Sequence, residues 1–301
     1  MSTTPTNARV EAAAVIRRRR VESLRIIRDL LRIRLAVVGL AILFICVVCA
    51  IFAPQIAPYD PYETRGDRLL LPAMRAHLLG TDHLGRDTLS RLIFGARVAL
   101  VVSVGAIGLS TVVGMPMGLI AGYSRGWIDA VTMRICDALV SYPSLVLATA
   151  FVGVLGPTIT NVVVAIGIAH VPWIARVVRS QALSVREHDY VTAARSLGAR
   201  TPRVLFLHVW PNCTAPVIVQ GSLGMAYAVL TEAGLGFLGV GIQVPTPTWG
   251  NMLQYAFGYL AQDPILSIAP GVAIFLLVLG FNFVGDALRD VLDPRLRGVI
   301  H

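Results

Sequence analysis

Four patterns in the 301-residue chain match spacings that do chemistry elsewhere. Cys46-Val-Val-Cys49 has the CxxC spacing of a redox dithiol. Gly234-Leu-Gly236-Phe-Leu-Gly239 satisfies GxGxxG. Gly114, Gly118 and Gly122 form two overlapping GxxxG steps. His170, Glu232 and Asp286 lie in or near apolar stretches, where ionisable side chains are expensive and often functional.

Context decides each of them. A reactive thiolate needs an electropositive, accessible setting, whereas Cys46 and Cys49 sit inside an apolar run and read as structural. Cys136 and Cys213 lie near helix ends, and the four cysteines show no metal-ligand spacing. The dinucleotide fingerprint requires a strand before it and a helix after it. Here a long apolar helix precedes the glycines, which read instead as points where the backbone bends and packs closely. The GxxxG steps allow close helix contact, either internally or with a partner subunit. His170 precedes Val-Pro-Trp near the inner end of a span, and both a satisfied histidine and a pathway residue fit that position. Glu232, at the periplasmic end of its span, reads as a carboxylate solvated at the interface.

What is missing matters as much. All 26 cationic residues are arginine and none is lysine. A P-loop needs a lysine for the phosphates, and Schiff-base chemistry needs one as nucleophile. No HExxH and no GxSxG occurs, which removes the metalloprotease and serine-hydrolase readings. The expectation is a protein that is not an enzyme, with no catalytic residue, no metal and no cofactor of its own. A membrane-embedded enzyme using His170, Glu232 or Asp286 is the competing class, and turnover by the isolated chain would reveal it.

The informative segment is 184–212. Asp189-Tyr190-Val191-Thr192-Ala193-Ala194-Arg195-Ser196-Leu197 reads as a short amphipathic helix with Val191, Ala194 and Leu197 on one face. Gly198 stands where a left-handed residue ends such a helix. Thr201 then reads as an N-cap with Pro202 at the first helical position. Val204, Leu205 and Phe206 follow, and Val209-Trp210-Pro211 leads into an apolar run. The pattern is helix, glycine turn, helix, feeding straight into a span. An element of that kind transmits force only if something grips it; the alternative is a plain connector.

The elements that position this segment follow from composition. Hydrophobic residues make up 55% of the chain and charged residues 14%, against about 25% charged in a soluble domain. That excludes a soluble, a disordered and a disulfide-rich secreted protein. About 20 apolar residues cross a bilayer core as a helix. Uncharged stretches at 35–53, 98–122, 138–155, 158–175 and 264–285, with a run from Pro211 that reaches Glu232, predict six spans. Gly156-Pro157-Thr158 divides the third from the fourth. The stretch 233–262 carries Pro245, Pro247 and five glycines by Gly250, and its apolar part after Asn251 is too short to span. It reads as a re-entrant or interfacial helix, with Tyr255 and Tyr259 at the water boundary.

Arginine placement predicts orientation. Twenty arginines fall on the side shared by both termini, and six (Arg65, Arg68, Arg75, Arg86, Arg91, Arg97) fall on the other. By the positive-inside rule both termini are cytoplasmic. Arg17 to Arg20 serve that topology rather than nucleic-acid binding, and the first span, too long for a signal-peptide core, reads as an uncleaved anchor.

Thr192-Ala193-Ala194, then Gly198 after three intervening residues, and Val209-Trp210-Pro211 together resemble the EAA loop of ABC importer permeases. Thr192 stands where the family name has Glu, and Val-Trp-Pro where Ile-x-Leu-Pro is usual. Gly80-Thr-Asp82-His-Leu-Gly85-Arg86-Asp87 with Leu89 to Arg97 resembles the start of dipeptide/oligopeptide-type permeases. Glu232 to Gly241 with Pro247 to Leu253 resembles their loop between the fifth and sixth spans, and Leu288 to Arg297 their C-terminus. The likeness covers nearly all of residues 35–298 and points to the C-type subunit.

The resemblance implies an all-α membrane protein of the type I ABC importer fold. It has a cytoplasmic segment 1–34, a first transmembrane helix 35–53 and an extracytoplasmic (periplasmic) segment 54–97. A permease core 98–301 holds five helices and the coupling loop 184–212. It implies a bacterial inner-membrane protein and a heterodimer with a homologous permease. Two ATPase subunits would grip Asp189, Tyr190, Thr192, Ala193, Ala194, Arg195, Leu197, Gly198 and Pro211. An extracytoplasmic binding protein would deliver dipeptides or oligopeptides, and membrane lipid would surround the spans. Nickel, glutathione or another small solute is the alternative cargo.

Overall fold

The computed structural model describes residues 28–292 apart from 69, 71 and 125. Arg9, Arg17 to Arg20, Arg25, Arg125, Arg295 and Arg297, which enter the orientation argument, lie outside the described residues. Among the described residues all extended regular structure is helical, and the one β-bridge pairs Thr81 with Asp87.

Helix α1 (Arg34–Ile51) is followed by a single turn, α2 (Ala53–Ile56), and a polar segment ending at α3 (Thr88–Ser124). Helices α4 (Gly126–Val140) and α5 (Ser144–Leu155) come next, then α6 (Ile159–Val185). Two short helices, α7 (Asp189–Ser196) and α8 (Thr201–Val204), lead into α9 (Trp210–Phe237). The chain closes with α10 (Trp249–Phe257) and α11 (Ile265–Leu292). Five helical stretches are long and apolar enough to cross a membrane, and a sixth crossing is present if α4 and α5 form one span.

That pair corrects one expectation. The run 138–155 is not one straight helix: the chain breaks at Ser141-Tyr142-Pro143 and α4 and α5 bend by 88°. Pro143 has no N–H to donate and disfavours a helical residue before it. The break at 156–158 does form where expected. Gly156 takes φ +94°, the Thr158 hydroxyl accepts from the Asn161 N–H at 3.2 Å, and the Asn161 amide donates to the Leu155 carbonyl at 2.6 Å. Both orphaned helix ends are thereby capped.

α3 starts at Thr88, upstream of the uncharged stretch, so Arg91 and Arg97 are helical residues. Each has carbonyls to serve: Arg91 donates to Pro61 at 3.0 Å and Arg97 to Ala50 at 2.9 Å. At about 1.5 Å per residue the 37 residues of α3 run about 55 Å. It lies parallel to α6, and the GxxxG glycines face that helix. A Cβ on Gly114 would lie 2.9 Å from the Val171 carbonyl, and one on Gly122 would lie 2.7 Å from that of Arg179. Gly118 meets the Ala175 carbonyl more closely still. The glycines therefore serve internal packing, and their four-residue step is matched by the step 171, 175, 179 on the facing helix.

The glycines at the end of α9 also work as expected. A Cβ on Gly250 would come within 2.6 Å of the Ala233 carbonyl, and one on Gly236 within 2.9 Å of the Gly250 Cα. Backbone lies against backbone where α10 docks on α9. Trp249 completes the joint: its Nε1 donates to the Leu92 carbonyl at 2.9 Å, beside Gly95 on α3. Glu232 is buried in this joint with one carboxyl oxygen unpartnered, which corrects its reading as a solvated interfacial group.

Candidate coupling surface

The segment 184–212 is built outward from the end of α6. Arg179 binds Asp129 through two bonds, Nε at 2.5 Å and Nη2 at 2.6 Å, and Arg176 binds Asp137 at 2.7 Å. These pairs hold α4 against α6. Arg186 then reaches across to donate to the carbonyls of Tyr123 at 2.8 Å and Gly122 at 3.3 Å, closing the end of α3. No local sequence pattern announces these ties, because the partners of the three arginines lie 39 to 64 residues away in the chain.

From that anchor α7 projects as an eight-residue helix. Asp189 lies in its first turn and Arg195 in its last, the signs that a helix dipole favours. Val191 is fully buried in a cluster with Met115, Val178, Val185, Val204 and Val209. It is the side chain that plants α7 on the bundle. Leu197 does not join it, contrary to the expected face: it is 88% exposed. Ala194 is half-buried, and Asp189, Tyr190, Thr192, Ala193, Arg195 and Gly198 are exposed.

Gly198 has φ +83°, and open space surrounds the position of its missing Cβ. Its N–H donates to the Arg195 carbonyl at 2.9 Å, and the Ala199 N–H donates to the Ala194 carbonyl at 3.1 Å. These two bonds define a Schellman turn, whose central residue must be left-handed. The turn reverses the chain into α8. There the cap shifts by one from expectation: the Arg200 carbonyl accepts the first helical bond, and Thr201 lies inside the helix without a side-chain cap.

α8 and α9 are continuous through a π-helical stretch, Leu205–Val209. The Trp210 N–H donates to the Leu205 carbonyl, five residues back. Pro211 supplies the reason for the irregularity, since it has no N–H for a carbonyl four residues earlier. The Tyr190 ring stacks on His188 at 5.6 Å, and the Asn212 amide donates to its hydroxyl at 3.3 Å. The start of α7 is thereby tied to the first turn of α9.

The other candidate residues are dispersed. Cys46 and Cys49 are free thiols half-buried on α1 and pack against the apolar contacts of α9 and α11. Asp286 is exposed. His170 is buried beside Gly224 with its Nε2 unpartnered, and its ring is 6.0 Å from that of Tyr227. Among the described residues no group of three or more His, Cys, Asp or Glu is placed to hold a metal ion.

Residues 114–298 match the family described as the binding-protein-dependent transport system inner membrane component. The chain belongs to that family. Residues 24–73 further match the N-terminal transmembrane domain of oligopeptide transport permease C. The permease is 45% identical over 265 residues to the di/tripeptide transport system permease protein DppC of Pseudomonas aeruginosa, covering 86% of this chain and 88% of that one. It is 46% identical over 268 residues to the dipeptide transport system permease protein DppC of Escherichia coli, covering 87% and 89%. It is 40% identical over 271 residues to the glutathione transport system permease protein GsiD of Pectobacterium atrosepticum, covering 90% of each. Its fold is similar to a chain of the MetNI methionine ABC transporter, with TM-score 0.56, 20% identity and coverage of 67% of this chain and 96% of that one. The permease is thus a multi-pass inner-membrane transport component rather than an enzyme, and its family works with ATPase and substrate-binding partners.

Proposed function

We propose that this permease forms half of the membrane pathway of an importer of dipeptides and oligopeptides. The other half is a homologous permease, and a binding protein delivers cargo from the extracytoplasmic face. Both termini and the 184–212 element face the cytoplasm. The exposed residues Asp189, Tyr190, Thr192, Ala193, Arg195, Leu197 and Gly198 form the surface that an ATPase subunit grips, and Pro211 marks where the element enters the span. Closure of the ATPase pair pushes α7, and the push passes through the Gly198 turn and α8 into α9, so that the spans rock between two faces.

The observation that carries this reading is the path from α7 through the Gly198 turn to α8, which runs on as helix into α9. An apolar side chain, Leu197, stands at its outer end and is 88% exposed. The cargo assignment rests on the relatives named for dipeptides and di/tripeptides. Glutathione, itself peptide-like, is the second reading, favoured by the Pectobacterium relative. Uptake by the reconstituted assembly tests it. Labelled dipeptide should enter proteoliposomes only with ATP and the binding protein, and excess unlabelled dipeptide should compete better than glutathione. Uptake of glutathione in preference to dipeptides would reverse the cargo assignment.

A further inference from the structure

The bend between α4 and α5 lies at membrane depth. At about 1.5 Å per residue, His170 stands about 17 Å along α6 from Ile159, and Tyr227 about 15 Å along α9 from Phe237. Ile159 and Phe237 are the helix ends remote from the coupling element. A hydrocarbon core is about 30 Å thick, so both residues sit near its middle, and their rings are 6.0 Å apart. The hydroxyls of Tyr227 and Ser144 hydrogen-bond each other. Ser144 opens α5, so the unwound residues 141–143 just before it lie within the core as well.

This chain leaves that turn uncovered. Tyr142 is 60% exposed and Tyr227 44%, and Pro143 is exposed too. No side chain caps the start of α5. Its first backbone bond runs from the Leu147 N–H to the Pro143 carbonyl at 3.0 Å, and the N–H groups before it have no helical carbonyl to meet. Gln220, seven residues before Tyr227 and so on the same face of α9, is partly exposed. Lipid offers these groups no hydrogen bonds. Irregular backbone at this depth persists only inside protein or beside a water-filled cavity. Contacts between membrane helices favour small residues at close approach, whereas two tyrosine rings and an open turn project here. The face suits water and polar cargo better than lipid or a close-packed partner helix.

We propose that the turn at Tyr142 and Pro143, together with Gln220 and Tyr227, lines the route of the cargo, and that the Ser144–Tyr227 hydroxyl pair hydrogen-bonds the peptide backbone as it passes. The proposal rests on the importer reading above. The chemistry fits that cargo class. Hydroxyls and an amide carry no fixed charge, so they exchange hydrogen bonds with the peptide group common to all dipeptides without trapping a charged terminus. A conducting route needs contacts strong enough to admit its cargo and weak enough to release it. The Ser141 hydroxyl takes no part, since it donates to the Ala138 carbonyl at 2.7 Å.

Single cysteines in an otherwise cysteine-free permease test the route, in the permease–ATPase assembly in nanodiscs supplied with ATP and the binding protein. A charged methanethiosulfonate reagent modifies thiolates, which form in water and not in an apolar setting. Tyr142→Cys and Gln220→Cys should each react at least about tenfold faster than Phe44→Cys, an exposed position midway along the apolar α1. Either one reacting as slowly as Phe44→Cys would overturn the route and leave the face to lipid or to the partner permease. Tyr227→Phe tests the contact in proteoliposomes. Dipeptide uptake should fall about fivefold, as expected for one lost hydrogen bond, while ATPase co-purification stays at the wild-type level. Unchanged uptake, or an equal loss of co-purifying ATPase, would overturn the contact. The cysteine rates need no cargo, so they read the route separately from wild-type dipeptide uptake, whose absence would instead sink the importer reading.

Discussion

The backbone N–H of Ala199 donates to the carbonyl of Ala194 at 3.1 Å, spanning Gly198. That bond forces the left-handed backbone at Gly198, and it sets the angle at which α7 stands relative to α8. An L side chain costs about 1–2 kcal/mol in that conformation. The cost comes from backbone strain alone, because an added Cβ meets no atom within 4 Å.

Gly198→Val should therefore insert into the membrane at wild-type abundance yet lose ATPase co-purification and dipeptide uptake. Gly198→Ala should be milder, since alanine tolerates the left-handed region better than a β-branched residue. Ser141→Ala, at the bend between α4 and α5, should do little. Membrane abundance, ATPase pull-down and uptake in the three variants check this. Normal coupling in Gly198→Val would reduce the segment to a connector.

The α3–α6 contact predicts a contrast within one helix. Gly118→Leu places a side chain against the Ala175 backbone and should abolish folded permease, since overpacking costs about 1–3 kcal/mol even where side chains can yield. Gly108→Leu should be tolerated, because an added Cβ there meets nothing within 4 Å. Detergent-resistant permease recovered from membranes measures both. Equal recovery of the two variants would contradict the packing.

Burial, together with the charges of Arg86 and Arg91, lowers the His83 pKa from its ordinary 6.5, against an opposing effect of Asp82. The folded state therefore resists the proton that the unfolded state accepts. Stability is complete above about pH 6.5 and falls as pH drops below it toward the lowered folded value. Thermal unfolding of the assembly between pH 7.5 and 5 should show this fall, and His83→Gln should make it shallower. An unchanged pH profile in His83→Gln would assign the fall to other groups.

Orientation is checked by labelling. With Cys46, Cys49, Cys136 and Cys213 replaced, a single cysteine at the exposed positions Thr64 or Ser184 reports its side. An impermeant thiol reagent on intact cells should reach position 64 and not 184. Labelling of 184 instead would invert the topology.

Much of this architecture was legible from the chain. Apolar length located the spans, Gly156-Pro157-Thr158 the turn between α5 and α6, and Gly198 the left-handed turn, because each depends on local backbone chemistry. The misses share a different cause. Periodicity puts Leu197 on the inward face because it shows which residues are apolar, not which of them find a partner. Glu232 reads as solvated in the sequence because nothing local announces that α10 folds back over it. Arg91 reads in the sequence only as one of the six arginines on the outer side, and only the fold brings Pro61 and Asp82 within its reach. Pro143 was readable as a breaker, but the unbroken absence of charge around it hid the bend.

The most direct test of the coupling account is Leu197→Glu. Leu197 is 88% exposed, so the change should leave folding and membrane abundance intact. The measurement is the amount of ATPase that co-purifies with the tagged permease. The account predicts at least about a tenfold loss, as expected from placing an unpaired charge in a docked apolar contact. ATPase recovered at the wild-type level with Leu197→Glu would contradict it.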